Sequence, residues 1–265
     1  MKNKVCKIIS TAFVPRVIRM HTTAIGSPLG LFSHAQNFPT PDSVIELLEF
    51  SLEVENQTDP GCEVDIIIAN NDVGYEKGNI FLNAIDGKRT NSGVIRIIHR
   101  ENYGRSFGGY NDAFSMLKEQ YEYFIFTEDD VLINGSGYAQ KGIDRISSNP
   151  KIGFLAYIGL NLEGFGGGHR GEMIHAHGGV GMAPKTSLNH IFEKFGSLPH
   201  VHKYQAQNYQ NIILNGEIAF TNIYATNGFL IADAEDKLYE FAYDKMRNIN
   251  MPRYVDTGML KPSYR

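Results

Sequence analysis

Short runs of apolar, largely β-branched residues recur along the chain, and their spacing limits the fold more than any other feature. They are Val5 to Ser10, Val64 to Ala69, Val94 to Ile98, Tyr123 to Thr127 and Ile152 to Ile158. Each is bounded by polar or glycine-containing sequence and is too short for a buried helix, so each predicts a buried strand. Helical patterns lie between them. Pro41-Asp42-Ser43 opens one, with Ser43 the expected N-cap and Glu46 its capping-box partner, ahead of Ile45, Leu47, Leu48 and Leu52. Another runs from Asn111 to Tyr121 with the stripe Ala113, Phe114, Met116 and Leu117. Strands alternating with helices predict βαβ units, hence an α/β fold whose mainly parallel sheet is covered on both faces. Right-handed crossovers then put the strand ends, and any ligand, on one edge of that sheet.

Past Gly159 the texture changes. Residues 164–171 read Gly-Phe-Gly-Gly-Gly-His-Arg-Gly, expected as a mobile loop. Helical patterns follow at Pro184 to Phe195 and Lys203 to Leu214, then an expected late strand at Ile218 to Tyr224 and a last helix at Glu235 to Arg247. No internal repeat or low-complexity linker divides the 265 residues, so the expectation is a single domain. Residues 1–150 form its sheet half and residues 151–265 complete the cleft.

With 42% hydrophobic and 20% charged residues the chain can bury a sizeable core, and its net charge of −4 offers no basic field for a nucleic-acid backbone. Cys6 and Cys62, each beside an apolar run, make no disulfide framework and point to a reducing compartment. Met1 to Ser10 lacks a signal-length apolar stretch, and nowhere do about 18 apolar residues run together as a bilayer span requires. The expected location is cytoplasmic, and the composition is compatible with peripheral attachment at the inner face of a membrane.

Three segments carry chemistry. In Tyr123 to Ile133 an apolar strand runs into Glu128, Asp129 and Asp130 and then turns apolar again. Neighbouring like charges repel by roughly 1 kcal/mol per close pair even when solvated, and a divalent cation such as Mg²⁺ or Mn²⁺ offsets that directly. On an extended backbone Glu128 and Asp130 project to one side and Asp129 to the other, so the first and third are the expected metal ligands. Asp65 to Gly74 is an apolar strand ending in Asn70, Asn71 and Asp72, side chains that close turns and also bond sugar hydroxyls or base edges. His99 to Asn111 links a strand to a helix, with Gly104, Gly108 and Gly109 permitting close backbone approach and Arg105 offering a fork for phosphate or a base edge.

In this order the motifs resemble family-2 glycosyltransferases and the wider GT-A fold of nucleotide-sugar transferases. The likeness rests on Ile8-Ile9-Ser10-Thr11, Ala69-Asn70-Asn71-Asp72, Asn102-Tyr-Gly104 with Asn111, and Glu128-Asp129-Asp130 in place of an Asp-x-Asp motif, and covers about residues 5 to 133. The chain departs from the pattern in the Glu of the metal motif and in the Asn-Asn-Asp turn. The resemblance implies that residues 1–150 bind a nucleoside-diphosphate sugar and residues 151–265 a hydroxyl acceptor, a glycan or a lipid-linked or polysaccharide precursor, with the sugar transferred by inversion. It implies that the nucleotide lies against Thr11, Ala12, Asn71, Asp72, Asn102, Arg105 and Asp129. It also implies a catalytic base in the second half, for which Glu217 in Asn215-Gly216-Glu217 is the candidate, with Asp233, Glu235 and Asp236 as competitors whose simpler reading is a helix cap. His175 and His177, two apart, face one side of an extended segment; they are candidates for a metal or acceptor contact, with His177 placed on the acceptor side, or for backbone hydrogen bonds in a turn.

Two other classes remain in view: a sugar-phosphate nucleotidyltransferase, although Thr11 to Arg16 lacks its glycine-rich loop, and a non-catalytic nucleotide- or carbohydrate-binding module. Gly166-x-Gly168-x-x-Gly171 copies a dinucleotide fingerprint without the helix that should follow, and no P-loop or Gly-x-Ser-x-Gly elbow occurs.

Overall fold

The computed structural model describes residues 4–21, 32–38, 40–161, 174–242, 245 and 255–256. In β1 (Val5–Thr11), Cys6 and Ile8 pack into one core cluster while Val5 and Ile9 face clusters on the other side of the sheet. β2 (Arg16–His21) and β3 (Phe32–Phe38) form an antiparallel pair before α1 (Pro41–Gln57). β4 (Val64–Asp72) repeats the two-sided burial, with Ile67 and Ala69 on one face and Ile66 and Ile68 on the other. A strand covered on both faces has no polar side to alternate, which is why these segments read as unbroken apolar runs.

After α2 (Glu76–Ile85) and β5 (Ile95–Glu101), α3 (Arg105–Leu117) crosses back to β6 (Tyr123–Glu128). Then come β7 (Val131–Ile133), α4 (Tyr138–Ser148), β8 (Ile152–Ala156), β9 (Gly159–Asn161), β10 (Ile174–Ala176), β11 (Gly181–Pro184) and α5 (Lys185–Phe195). A helical stretch follows in three pieces: α6 (Tyr209–Asn211), a π-helix over Ile212–Ile218, and α7 (Ala219–Thr226). β12 (Leu230–Asp233), β13 (Tyr239–Phe241) and β14 (Val255–Asp256) complete the described elements.

The main sheet has seven strands in the order β12-β8-β11-β6-β1-β4-β5. β1, β4, β5 and β6 are parallel, β11 opposes both of its neighbours, and β12 is parallel to β8. The expected α/β fold with a mainly parallel, helix-flanked sheet is the one observed. From β1 the chain builds outward through β4 to β5, then α3 returns it to the opposite side of β1 as β6. Such a reversal of direction opens a crevice beyond the carboxyl ends of the two diverging strands. Here those ends are Thr11 and Glu128.

Several local expectations change. Thr40, not Ser43, caps α1: Ser43 N donates to Thr40 Oγ1 at 3.2 Å, and Ser43 Oγ reaches back to the cap residue. α3 begins at Arg105 rather than Asn111, so Gly108 and Gly109 are helical residues that let the helix lie close to its neighbours. Ile218 to Tyr224 is helical, not a strand. Ile212, Gly216, Phe220 and Tyr224 are buried at four-residue spacing, a helical stripe that outweighs the local β preference. The helix expected from Lys203 starts only at Tyr209, and within the helix expected from Glu235 to Arg247 lies β13, paired antiparallel with β7. The 164–171 loop falls outside the described residues, as does most of the tail beyond Arg247.

Candidate active site

β6 delivers the acidic cluster. Phe124 and Phe126 face the α3 side of the sheet, and strand alternation carries Glu128 to that same side. There Ser106 Oγ, in the first turn of α3, donates to Glu128 Oε1. Asp129 turns inward and is 1% exposed: Thr11 Oγ1 donates to its Oδ2 at 2.6 Å, its own N–H donates to Ser10 O at 3.2 Å, and Ser51 Oγ donates to its carbonyl at 2.7 Å. Ala242 N donates to the Asp130 carbonyl at 2.8 Å, so the segment carrying β13 clasps the acidic turn from outside. Burial, then the charge of Asp130, pushes the Glu128 carboxyl up to about 8; Glu217 and Asp129 add to the rise, and the Ser106 hydroxyl opposes it.

Glu217 approaches from the opposite wall. It lies in the π-helix, a geometry that recurs at functional sites. Phe220, three residues on, seats this helix in an aromatic cluster, with ring centroids 5.5 Å from Phe107, 5.7 Å from Tyr110 and 5.2 Å from Phe126. The same cluster therefore positions both Glu128 and Glu217. Between them passes the turn His177–Gly179, in which Gly178 (φ 59°) and Gly179 (φ 68°) are left-handed. Gly178 N donates to Glu217 Oε1 at 2.9 Å, while a Cβ on Gly178 would stand 3.0 Å from Glu128 Oε2. Tyr110 OH, fully buried, donates to Gly178 O at 3.3 Å. Burial pushes the Tyr110 hydroxyl well up, and the charges of Glu128, Asp130, Asp129 and Glu217 push the same way, which locates these carboxylates around one point. Burial also disfavours the Glu217 anion, but the His175 ring, the Gly178 N–H and the charge of His177 outweigh it and hold the carboxyl below its ordinary value. Two carboxylates on opposite walls thus have affinities for a proton driven in opposite directions, a pattern that accompanies acid–base and ion-binding chemistry.

On the far side of β1 the polar groups behave differently. Asn71 donates from Nδ2 to Ser10 Oγ at 2.9 Å and to Thr11 O at 3.0 Å, and its Oδ1 accepts from Arg100 NH1. Arg100 Nε donates to Asp112 Oδ2 at 2.6 Å and its NH2 to Tyr103 O at 3.0 Å, with the guanidinium 4.2 Å from the Tyr103 ring centroid. With both ends of its amide engaged in this lattice, Asn71 is a scaffold group rather than a free reader of a base. Asp72 accepts from Gly74 N at 2.8 Å and Asn79 Nδ2 at 3.2 Å, which holds its carboxyl below the ordinary range and closes the turn after β4. Asn102 and Arg105 are exposed where β5 passes into α3. Arg105 has φ 48°, an uncommon left-handed conformation for a side-chain-bearing residue. Ala12 lies partly buried just beyond the end of β1.

The structure thus brings together Glu128, Asp129, Asp130, Thr11 and Glu217, with His177 at the rim. His175 lies inside, 4% exposed, with Nε2 3.2 Å from Glu217 Oε1. Asp233 instead ends β12, while Glu235 and Asp236 make exposed ion pairs with Arg145 and Lys141; no helix starts there for them to cap. Ser106, Tyr110 and Gly178 were not anticipated. The Gly-Gly pair beside His177 was the available signal for Gly178, since a close turn needs left-handed residues. Among the described residues no three His, Cys, Asp or Glu side chains are grouped to hold a metal by themselves. The hard oxygens and the raised proton affinity of Glu128 nevertheless fit a Mg²⁺- or Mn²⁺-type cation, which uses one or two carboxylates and completes its shell with phosphate and water. Open surface grooves lie before β4 and β5 near Asp59, Cys62 and Arg89 and between α1 and α2, and none of these groups lines them. Among the described residues no helix is long and apolar enough to cross a membrane.

No protein-family model matches the chain, and neither does any curated protein. Solved structures similar to it include 4-diphosphocytidyl-2C-methyl-D-erythritol synthase from Anaerococcus prevotii, with a TM-score of 0.41, 10% identity and 88% of each chain covered. S. aureus TarS aligns with a TM-score of 0.45 and 13% identity over 94% of this chain and 39% of its own. The galactosyltransferase LgtC, in complex with donor and acceptor sugar analogs, aligns with a TM-score of 0.38 and 13% identity over 87% of this chain and 73% of its own.

Proposed function

We propose that this chain transfers a sugar from a nucleoside-diphosphate sugar to a hydroxyl acceptor, with inversion at the anomeric carbon. The observation that carries the reading is the placing of Glu128 and Asp130 at the β1/β6 reversal, with ionised Glu217 on the other side of the His177–Gly179 turn. Glu128 and Asp130 are the residues to hold a divalent cation, which when bound neutralises charge on the departing diphosphate. Asp129 and Thr11, buried and locked to each other, brace the turn from beneath without reaching the nucleotide, which runs past Ala12, Asp72, Asn102 and Arg105 along the strand ends. Glu217, with the histidines at its edge, forms the basic end of the site that removes the acceptor proton.

The test is a screen of nucleotide sugars with and without Mn²⁺, reading thermal stability and the released product. A ligand bound only by the folded state raises the melting temperature by mass action. The expected outcome is stabilisation that needs both cation and nucleotide, and nucleoside diphosphate release on turnover. Pyrophosphate release would instead make the chain a nucleotidyltransferase, and stabilisation without turnover a binding module.

A further inference from the structure

Glu217 is surrounded in a way that a group working alone on substrate does not require. Its Oε1 receives Gly178 N–H at 2.9 Å and His175 Nε2 at 3.2 Å, and His177 Nδ1 stands 3.6 Å from the same oxygen. Its side chain is 14% exposed. His175 is nearly as enclosed as the core, and its Nδ1 is buried with no hydrogen-bond partner among the described residues, so it is closed to substrate. His177 differs. Its side chain is 41% exposed, and the nitrogen turned to the carboxylate is Nδ1, which leaves Nε2 on the far side of the ring. The ring is braced by the edge of Phe241 at 6.3 Å and by the backbone, since His177 N donates to Ile158 O at 2.9 Å. Among the described residues the charged and titratable groups around it are Glu217 in front, His175 sharing the same carboxylate oxygen, and Glu128 beyond Gly178.

We propose that His177 and Glu217 form a carboxylate–imidazole dyad in which Glu217 holds His177 as the Nδ1–H tautomer and His177 Nε2 takes the proton from the acceptor. This rests on the transferase reading and names the atom that does its acid–base work. A buried carboxylate behind an imidazole fixes the ring's tautomer and stabilises the imidazolium that forms, and such contacts are often long in the unliganded state. As the acceptor oxygen bonds to the anomeric carbon, its proton passes to Nε2. The bond from that carbon to the diphosphate oxygen breaks, and the diphosphate leaves with the electron pair. The imidazolium, balanced by Glu217, then returns its proton to solvent. His177 is the catalytic residue, and Glu217 and His175 are positioning residues.

The arrangement is tested without any substrate by two-bond ¹H–¹⁵N correlation spectra of the histidine rings in the full-length protein at pH 8. The expected result is His177 as the Nδ1–H tautomer in the wild type, changing to Nε2–H in Glu217→Gln. Nε2–H in both proteins overturns the dyad. In the transfer assay with the donor found by the screen, His177→Ala is expected to lower kcat by roughly 100-fold with little change in donor KM, and added imidazole is expected to restore part of it. Near-wild-type kcat in His177→Ala overturns the proposal while leaving the transferase reading standing. A wild type that shows the Nδ1–H tautomer but transfers nothing has the opposite meaning: the dyad exists and the transferase reading fails.

Discussion

The two sides of β1 handle polar groups in opposite ways. Toward β4 and β5, Ser10, Asn71, Arg100, Tyr103 and Asp112 form a lattice in which donors meet acceptors and the buried guanidinium faces a carboxylate. Toward β6, carboxylates converge from two walls on a single turn, with one carboxyl driven up in proton affinity and another driven down. The first pattern stabilises a sheet edge. In the second, the raised Glu128 carboxyl costs stability at neutral pH, and a fold keeps such a cost where chemistry needs it. Substitutions on the two sides are therefore expected to separate stability from turnover.

The largest effect is expected on the charged side. Glu217→Gln keeps the shape but removes the charge, and turnover per folded molecule is expected to fall by roughly 100-fold, no further than in His177→Ala. Equal loss of fold and activity would erase the distinction. On the lattice side, Arg100→Met leaves Asp112 and Asn71 without their partner, and denaturant titration is expected to show a loss of about 3 kcal/mol. Turnover per folded molecule is expected to stay within a few-fold of wild type.

A third expectation concerns pH. Glu128 titrates near 4.5 when unfolded and near 8 when folded, so between those values the folded protein keeps a proton that the unfolded chain has released. This contribution to stability is present in full below about pH 4.5 and is lost as pH rises through 8. Denaturant midpoints measured without metal from pH 5 to pH 8.5 are expected to decline, and Glu128→Gln to flatten the decline and to be the more stable protein at pH 8. A steeper decline in the variant would contradict the assigned cause. The smallest effect is expected at Arg105→Gly. Relief of its left-handed backbone is expected to raise stability by about 1 kcal/mol, while donor KM rises several-fold if the proposed nucleotide path loses a cation there.

The sheet was legible in the sequence where strands are buried on both faces, because Val5 to Thr11, Val64 to Asp72 and Tyr123 to Glu128 have no polar side to obscure them. The acidic end of β6 was legible for the same reason, as charge abutting an apolar run. Elements set by distant partners were not. β13 forms because Tyr239 to Phe241 meets Val131 to Ile133, and nothing local distinguishes it from a helix. The helix carrying Glu217 reads from sequence as a helix followed by a strand because its β-favouring residues hide the four-residue spacing of Ile212, Gly216, Phe220 and Tyr224. Asn71 looked like a ligand group because its partner Arg100 lies on another strand, and the pairing appears only when β4 and β5 align in register.

The proposed transferase site requires the acidic turn after β6 to hold a cation together with a nucleoside diphosphate. Calorimetric titration of Mn²⁺ into the protein saturated with the diphosphate that stabilises it tests this most directly. One Mn²⁺ per chain is expected for the wild type and at least tenfold weaker binding for Glu128→Gln and Asp130→Asn, with both variants folded. Mn²⁺ affinity unchanged in the two variants would contradict it.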